Sequence, residues 1–412
     1  MSSNGKSVVA IAKGGRWDAK RLVAKCLEGV GGIESIAKRG DTVLLKPNMG
    51  YPEAPGMPSW TCLTDFMVLE ALTELFKDHG AKKVITAEAP AHGISGNYMF
   101  EASGIGAAVK KAGGEVHAID EGDFVLRKIP DGIVIREQWV PKIMLEVDAI
   151  VNVPKIKPTR VGKFTLGYKN FFGLVPEDER VPWHRIPEHF YFLVDLYKLL
   201  RPTVTVMDGL VIQEGLGPRF GSPVEWGVII AGKDPVATES IAMMAMGHEP
   251  YEQMVLPIAA KAGQGTMDPN QIEVVGETLE AVTRYCKVSP GDLWLNASPN
   301  VQEYCGGACW GCGLWIQYTP YPWEVDPGKK YALVVGNTPK IPDSFKEDEV
   351  IVLGNCAARS KKQIEEACGK TGIKPQFIAG CPPYGAVRPG YLKSHNIHEL
   401  PYTHHVKRVH DE

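Results

Sequence analysis

The chain has 412 residues, 44% of them hydrophobic, and 45 basic against 48 acidic residues give a formal charge of -3. That length accommodates two domains or more with a sizeable core, and so even a balance excludes a chain-wide basic face of the kind nucleic-acid binders present. The start, MSSNGKSVVAIAKGG, is not leader-like, and no uninterrupted apolar run of about 18 residues follows it. The expectation is a cytoplasmic protein without membrane insertion, binding anions through local clusters.

The first 280 or so residues alternate short apolar runs with helix-like stretches. Strands are predicted at 7–12, 42–48, 83–90, 149–155, 203–209 and 227–234, each rich in Val or Ile. Helices are predicted at 65–78, 100–112, 189–200 and 235–246. Such alternation implies an α/β fold with a mostly parallel sheet flanked by helices. Ligands of these sheets bind beyond the carboxyl ends of the strands.

Polar clusters close many of the predicted strands: Lys46-Pro47-Asn48, Glu88-Ala89-Pro90, Asn152 through Lys157, Asp208-Gly209 and Lys233-Asp234-Pro235. Their repetition suggests one shared cleft. Lys46, Lys155, Lys157, Lys169 and Arg219 would form a positive pocket for a small carboxylate or phosphate, balanced by Asp208, Glu214 and Asp234. A structural network of ion pairs at the strand ends is the competing account of the same residues. Asn48, Asn170 and Arg180 join the substrate-binding set, while Lys155, Lys157, Asp208 and Glu214 are catalytic candidates.

Two histidines are acid–base candidates because imidazole titrates near neutral pH. His184, in a Pro- and Arg-rich loop, is the stronger; His189 begins an aromatic helix where packing explains it equally well. EGLGPRFG lacks the ending of a phosphate-binding P-loop, and Gly104-Ile105-Gly106 stands alone without a dinucleotide fingerprint. No nucleotide cofactor is therefore expected.

A boundary is expected between about 280 and 300, dividing an α/β substrate domain over 1–285 from a cysteine-rich domain over 286–412. The latter has its own strands at 331–337, 350–355 and 375–380 and a helix near 360–370. Six of the nine cysteines lie between 305 and 381. Cys309 and Cys312 are two apart in a loop, whereas Cys356 and Cys381 each follow a predicted strand; parallel neighbouring strands would bring those two together. Four thiolates suit a [4Fe–4S] cluster, with tetrahedral zinc or a disulfide scaffold as rivals. Cys305 is an alternative ligand, and Cys368 reads as a small buried residue. The closing HHVKRVH reads as a solvated or metal-scavenging terminus.

Cys309-Trp310-Gly311-Cys312, Gly354-Asn355-Cys356-Ala357 and Gly380-Cys381-Pro382-Pro383 resemble the proximal-cluster domain of the nickel–iron hydrogenase small subunit and its complex I counterpart. The resemblance implies a flavodoxin-like α/β unit and [4Fe–4S] ligation. Residues 40–280 resemble the domain of unknown function 362 family through VLLKPNMG, EAPAHG, VNVPKIK, LGYKNFFGLVP, Arg180 with His184, TVMDGLVIQEGLGPRFG and GKDPVATES. Members are often joined to iron–sulfur modules. Where many carry Thr-His after Lys-x-Lys, this chain has Pro158-Thr159-Arg160, so that histidine's role does not transfer. The leading expectation is an iron–sulfur oxidoreductase or its substrate-handling subunit, acting on a small anion with a redox partner protein or as a homo-oligomer. A non-redox hydro-lyase or isomerase with an open iron, and a cluster carrier or scaffold, are the alternatives.

Overall fold

The computed structural model describes residues 5–50, 58–91, 94–159, 162–183, 188–215, 217–218, 221–288, 300–307, 328–378 and 407–409. The chain divides into two compact units: Met1–Trp183 with Glu188–Lys287 and Pro401–Glu412, and His184–Pro187 with Val288–Leu400.

Strands of the first unit are, in chain order, β1 (Ser7–Lys13), β2 (Thr42–Pro47), β3 (Lys83–Glu88), β4 (Glu115–Ala118), β5 (Asp123–Lys128), β6 (Glu137–Pro141), β7 (Ala149–Val153), β8 (Lys157–Pro158), β9 (Phe164–Thr165), β10 (Val204–Glu214), β11 (Ser222–Gly232) and β12 (Ile272–Gly276). Eight of them form one sheet in the order β12-β1-β11-β10-β7-β2-β3-β4. From β10 to β4 all neighbours are parallel, as are β1 and β12, whereas β11 runs antiparallel to both β10 and β1. The sheet is thus mainly parallel and buried on both faces, which is why β7 and most of β10 read as near-continuous apolar runs.

Helices α1 (Ala19–Gly29) and α2 (Phe66–His79) bury apolar stripes, Leu22, Val23, Cys26 and Leu27 on the first and Val68, Leu69, Leu72 and Phe76 on the second. Both stripes join one core cluster with Val43, Leu45, Val151, Val204 and Val206 of the sheet. Asp65 caps α2 by accepting from the Met67 N–H, and Gly80 ends it at φ 101°. The segment predicted as one helix over 100–112 is two short ones, α3 (Gly96–Ala102) and α4 (Ile105–Lys111), because Gly104 turns the chain at φ 77°. A one-turn helix α5 (Gly167–Asn170), then α6 (Glu177–Trp183), α7 (His189–Leu199) and α8 (Pro235–Ala245) follow.

Several elements have no counterpart in the sequence analysis, among them β4 at the edge of the main sheet. β5 and β6 form an antiparallel hairpin outside the main sheet. Its loop is pinned by Asp195 of α7, a buried carboxylate that accepts from the backbone N–H groups of Ile133, Val134 and Ile135 at 2.7–3.2 Å. Residues Lys407–Val409 add a further strand parallel to β5. Lys407 pairs with Asp123 at 2.7 Å and Arg408 with Asp178 at 2.8 Å, and both residues remain exposed. His404, His405 and His410 lie outside the described residues.

In the second unit β13 (Val301–Cys305), β14 (Tyr331–Val335), β15 (Glu349–Leu353) and β16 (Gln376–Ile378) form a four-stranded, wholly parallel sheet in that order. Helix Lys361–Gly369 buries Ile364, Ala367 and Cys368 against Val350, Val352 and Phe345. Among the described residues no helix is long and apolar enough to cross a membrane.

Candidate active site

Carboxyl ends of parallel strands carry unpaired backbone groups and admit irregular loops, so polar side chains gather there. Lys46 lies one residue before the end of β2, Glu88 ends β3, Asn152 lies near the end of β7, and Lys155 bridges to Asp208 on β10. All five are at most 2% exposed. A buried charge is tolerated when paired, and two pairs meet that condition here. Lys46 Nζ lies 2.5 Å from Glu88 Oε2, and Lys155 Nζ lies 2.9 Å from Asp208 Oδ2. Burial pushes the Glu88 and Asp208 carboxyls up and the Lys46 ammonium down, while each pair's mutual attraction pulls back. For Lys46, Lys155 and Asp208 the geometry is therefore that of an ion-pair network.

That network extends beyond the expected residues. Asp208 Oδ2 also accepts from the Asp65 N–H at 2.7 Å, and Asp65 takes a forked bond from Arg16 at 2.5 and 3.0 Å. On the β2 side, Asn170 of α5 donates to the Lys46 carbonyl and to Asn152 Oδ1, and accepts from Asn48. Asn152 in turn donates to the Gly167 carbonyl and to the Tyr197 hydroxyl. Glu239 of α8, 1% exposed, accepts from the Tyr168 N–H at 2.5 Å, and burial raises its carboxyl to about 8. Arg180 spends its guanidinium on the carbonyls of Val175, Gly173 and Pro90, which folds the 171–176 segment onto the strand ends.

Two further lysines have strongly shifted acidity. Lys157 is 3% exposed and donates to the Cys62 carbonyl; burial lowers its ammonium to about 8. Lys169, half-buried on α5, lies 3.3 Å from His189 Nε2 and 4.4 Å from the centre of the Phe172 ring, and burial lowers it to about 7. His189 is fully buried, and that burial, with Lys169 beside it, holds the ring well below its usual titration range.

Other candidates fall elsewhere. Glu214 lies six residues beyond Asp208 and pairs with Arg284 at 2.9 Å. Asp234 caps α8 and accepts from Ser7 Oγ at 2.6 Å; because β11 is antiparallel, its carboxyl end points to the opposite sheet edge. His184 and Arg219 lie outside the described residues.

Gly173 shows how tightly the segment is seated. A methyl group there would be driven into Glu88 Oε1 and lie 3.3 Å from Lys46 Nζ. Gly173→Ala is expected to cost about 1–3 kcal/mol, typical of overpacking, measured by chemical denaturation; an unchanged midpoint would show that the segment is not seated on the pair.

In the second unit, Cys305 ends β13 and is partly buried beside the apolar cluster of Tyr331, Leu333 and Leu353. Cys356 follows β15 in a single helical turn. β15 pairs in parallel with β16, Leu353 opposite Ile378. Position 356 is three residues past Leu353, as position 381 is three past Ile378 in sequence. Cys309, Cys312 and Cys381 lie outside the described residues; among those described, no group of three or more potential metal ligands occurs.

The fold and site define a mainly parallel α/β protein with buried ion pairs and two lysines of lowered pKa at the carboxyl edge of its sheet. Residues 43–244 match the family model described as Domain of unknown function (DUF362). A thylakoid-associated protein of Synechocystis sp. is 28% identical over 249 residues, 57% of this chain and 72% of that protein. Among solved structures, the lactate racemase apoprotein of Thermoanaerobacterium thermosaccharolyticum aligns with TM-score 0.34 and 13% identity over 50% of this chain. This chain spans about half, 51%, of that one. A protein of Thermotoga maritima aligns with TM-score 0.36 and 11% identity, covering 97% of this chain and 99% of its own.

Proposed function

We propose that the protein is an iron–sulfur-dependent oxidoreductase, or the substrate-handling subunit of one, acting on a small carboxylate or phosphate at the carboxyl edge of its larger sheet. The observation that carries this reading is the gathering there of Lys46, Lys155, Lys157 and Lys169. Two are neutralised by Glu88 and Asp208 and hold the edge rigid. The other two titrate near neutral pH, so each holds or releases a proton at Nζ under working conditions. Cys309, Cys312, Cys356 and Cys381 would hold a [4Fe–4S] cluster, which supplies single-electron transfer. An external donor is then required.

The test is anaerobic purification of the full chain, with iron and sulfide quantitation and spin-resonance spectra of single Cys→Ser variants. About four irons per chain are expected, as the cluster type requires. Cys356→Ser and Cys381→Ser should each abolish the reduced-state signal, as should the variants at 309 and 312, while Cys305→Ser retains it. Fewer than about two irons per chain would sink the cluster. Isothermal titration with oxalate and with inorganic phosphate tests the anion site; no heat from either removes that half.

A further inference from the structure

We propose that Asn48 Oδ1 is the acceptor for a hydroxyl group on the bound anion, which makes the ligand a small hydroxy acid. The proposal deepens the anion-binding reading and rests on it. It follows from the way a ladder of asparagines is oriented at the strand ends.

The direction of the ladder is set by backbone carbonyls, which can only accept. Asn152 faces the Gly167 carbonyl at 3.1 Å, so the atom there is Nδ2 and its Oδ1 points the other way. Asn170 Nδ2 donates to that Oδ1 at 2.9 Å and to the Lys46 carbonyl at 3.0 Å, which uses both of its hydrogens. Asn170 Oδ1 is thereby turned toward Asn48 and receives Nδ2 at 3.0 Å. Flipping the Asn48 amide would set oxygen against oxygen. Oδ1 of Asn48 is therefore left at the end of the ladder; it is buried and, among the described residues, accepts no hydrogen bond.

The donors around it are committed elsewhere. The Asn48 N–H donates to Thr64 Oγ1 at 2.7 Å, and the Asn48 carbonyl accepts from the Thr64 N–H at 2.9 Å. Thr64 Oγ1 spends its own hydrogen on the Val153 carbonyl at 2.7 Å, and the Met49 N–H is directed at Glu88 Oε2 at 3.3 Å. These bonds also fix the backbone of Asn48, so the amide cannot swing away to find water. A buried acceptor without a donor is costly, and a ligand that brings the donor removes that cost. Asn48 as a residue is only partly buried, so a ligand can approach the side chain, and seating a hydroxyl on Oδ1 asks for a small local shift.

The surroundings select the kind of donor. Lys46 Nζ lies 2.8 Å from the Pro47 carbonyl, on the peptide that leads into Asn48. Lys155 and Lys157 follow β7, the strand beside β2. An amino acid would bring its ammonium among these like charges, whereas a hydroxyl donates without that repulsion. An oxo group is itself an acceptor and leaves Oδ1 unmet. A carboxylate for the lysines and a hydroxyl for Asn48 together describe a hydroxy acid.

The experiment is isothermal titration of the full-length protein with glycolate, with acetate, which lacks the hydroxyl, and with glycine, which carries an ammonium in its place. Glycolate is expected to bind about tenfold or more tighter than acetate, the gain from pairing a buried acceptor, and glycine no tighter than acetate. Asn48→Ala should abolish the preference for glycolate over acetate. A merely structural role for Asn48 would weaken both acids together and leave their ratio unchanged, which overturns the proposal. The wild-type comparison needs no variant, so a misfolded variant does not blunt the test. If oxalate binds but glycolate is not preferred to acetate, or glycine binds tighter than glycolate, the hydroxyl contact fails and the anion site stands. If oxalate, phosphate, glycolate and acetate all give no heat, the anion site itself fails and the proposal falls with it.

Discussion

Asp208→Ala is expected to destabilise the first unit by about 3–5 kcal/mol, because it strands a buried ammonium. Asp208 Oδ2 holds Lys155 Nζ at 2.9 Å and the Asp65 N–H at 2.7 Å, and Oδ1 accepts from the Leu210 N–H at 3.1 Å. Removing the carboxylate leaves one fully buried cation and two backbone donors without acceptors. The measurement is urea denaturation followed by a probe in the first unit, where a lower midpoint with an unchanged slope reports lost stability. The double variant Lys155→Met with Asp208→Leu should lose less than Asp208→Ala alone, since an apolar pair of similar volume leaves no buried charge. Were Asp208→Ala to cost under about 1 kcal/mol, the level of an exposed pair, the pair would not be the buried one described. This cycle also asks why the pair is there: if the apolar double variant is stable yet no longer binds oxalate, charge at the strand ends serves binding rather than stability.

The sequence made the sheet legible where a residue's environment is set by its own strand. Val43 to Leu45 and Ala149 to Val151 are apolar on both faces because parallel strands are covered on both, and the polar ends of these strands mark the cleft edge. Strand direction is a different kind of fact. Ser222–Gly232 is as apolar as its neighbours, and nothing local says that it runs antiparallel to β10; Asp234 was therefore grouped with residues of the other edge. The hairpin Asp123–Lys128 with Glu137–Pro141 and the strand at Lys407–Val409 are short and charged, so their pairing depends on distant partners. In the site, Lys46, Lys155, Asp208 and Asn170 stood out as polar residues breaking apolar runs. Arg16, Asp65 and Glu239 did not, because a charge in a loop or on a helix is unremarkable until the fold places it. Arg16 meets Asp65 49 positions away, and Glu239 meets Tyr168 71 away. Glu88 was noted as a strand end, but its role is set by Lys46 on the adjacent strand.

Glu239 leads to the second large effect. Its carboxyl is raised from 4.5 to about 8, first by burial, against hydrogen bonds from the Tyr168 and Gly167 backbone. Between these two values the folded protein keeps a proton that the unfolded chain has released, so stability falls as pH rises, by about 1.4 kcal/mol per unit. The contribution is fully present below about pH 4.5, is lost progressively up to about 8, and is constant above. Glu239→Gln keeps an acceptor for the Tyr168 N–H and cannot ionise. The stability of wild type minus that of the variant is expected to drop by on the order of 4 kcal/mol between pH 5 and pH 8, measured by denaturation at each pH. The lysines act with the opposite sign. Lys169 is lowered from 10.5 to about 7 and Lys157 from 10.5 to about 8; between those values the unfolded chain binds the extra proton, so stability rises with pH. The wild type should therefore show a stability minimum near pH 7 to 8, its acid limb flattened by Glu239→Gln and its alkaline limb by Lys169→Met. The minimum falls where the buried carboxyl and the two amines are each part-ionised, the condition in which the strand ends exchange protons most readily. A wild-type-minus-Gln difference that does not vary with pH would mean that Glu239 is ionised in the folded protein, and its place in the polar network would then have to be that of a charge.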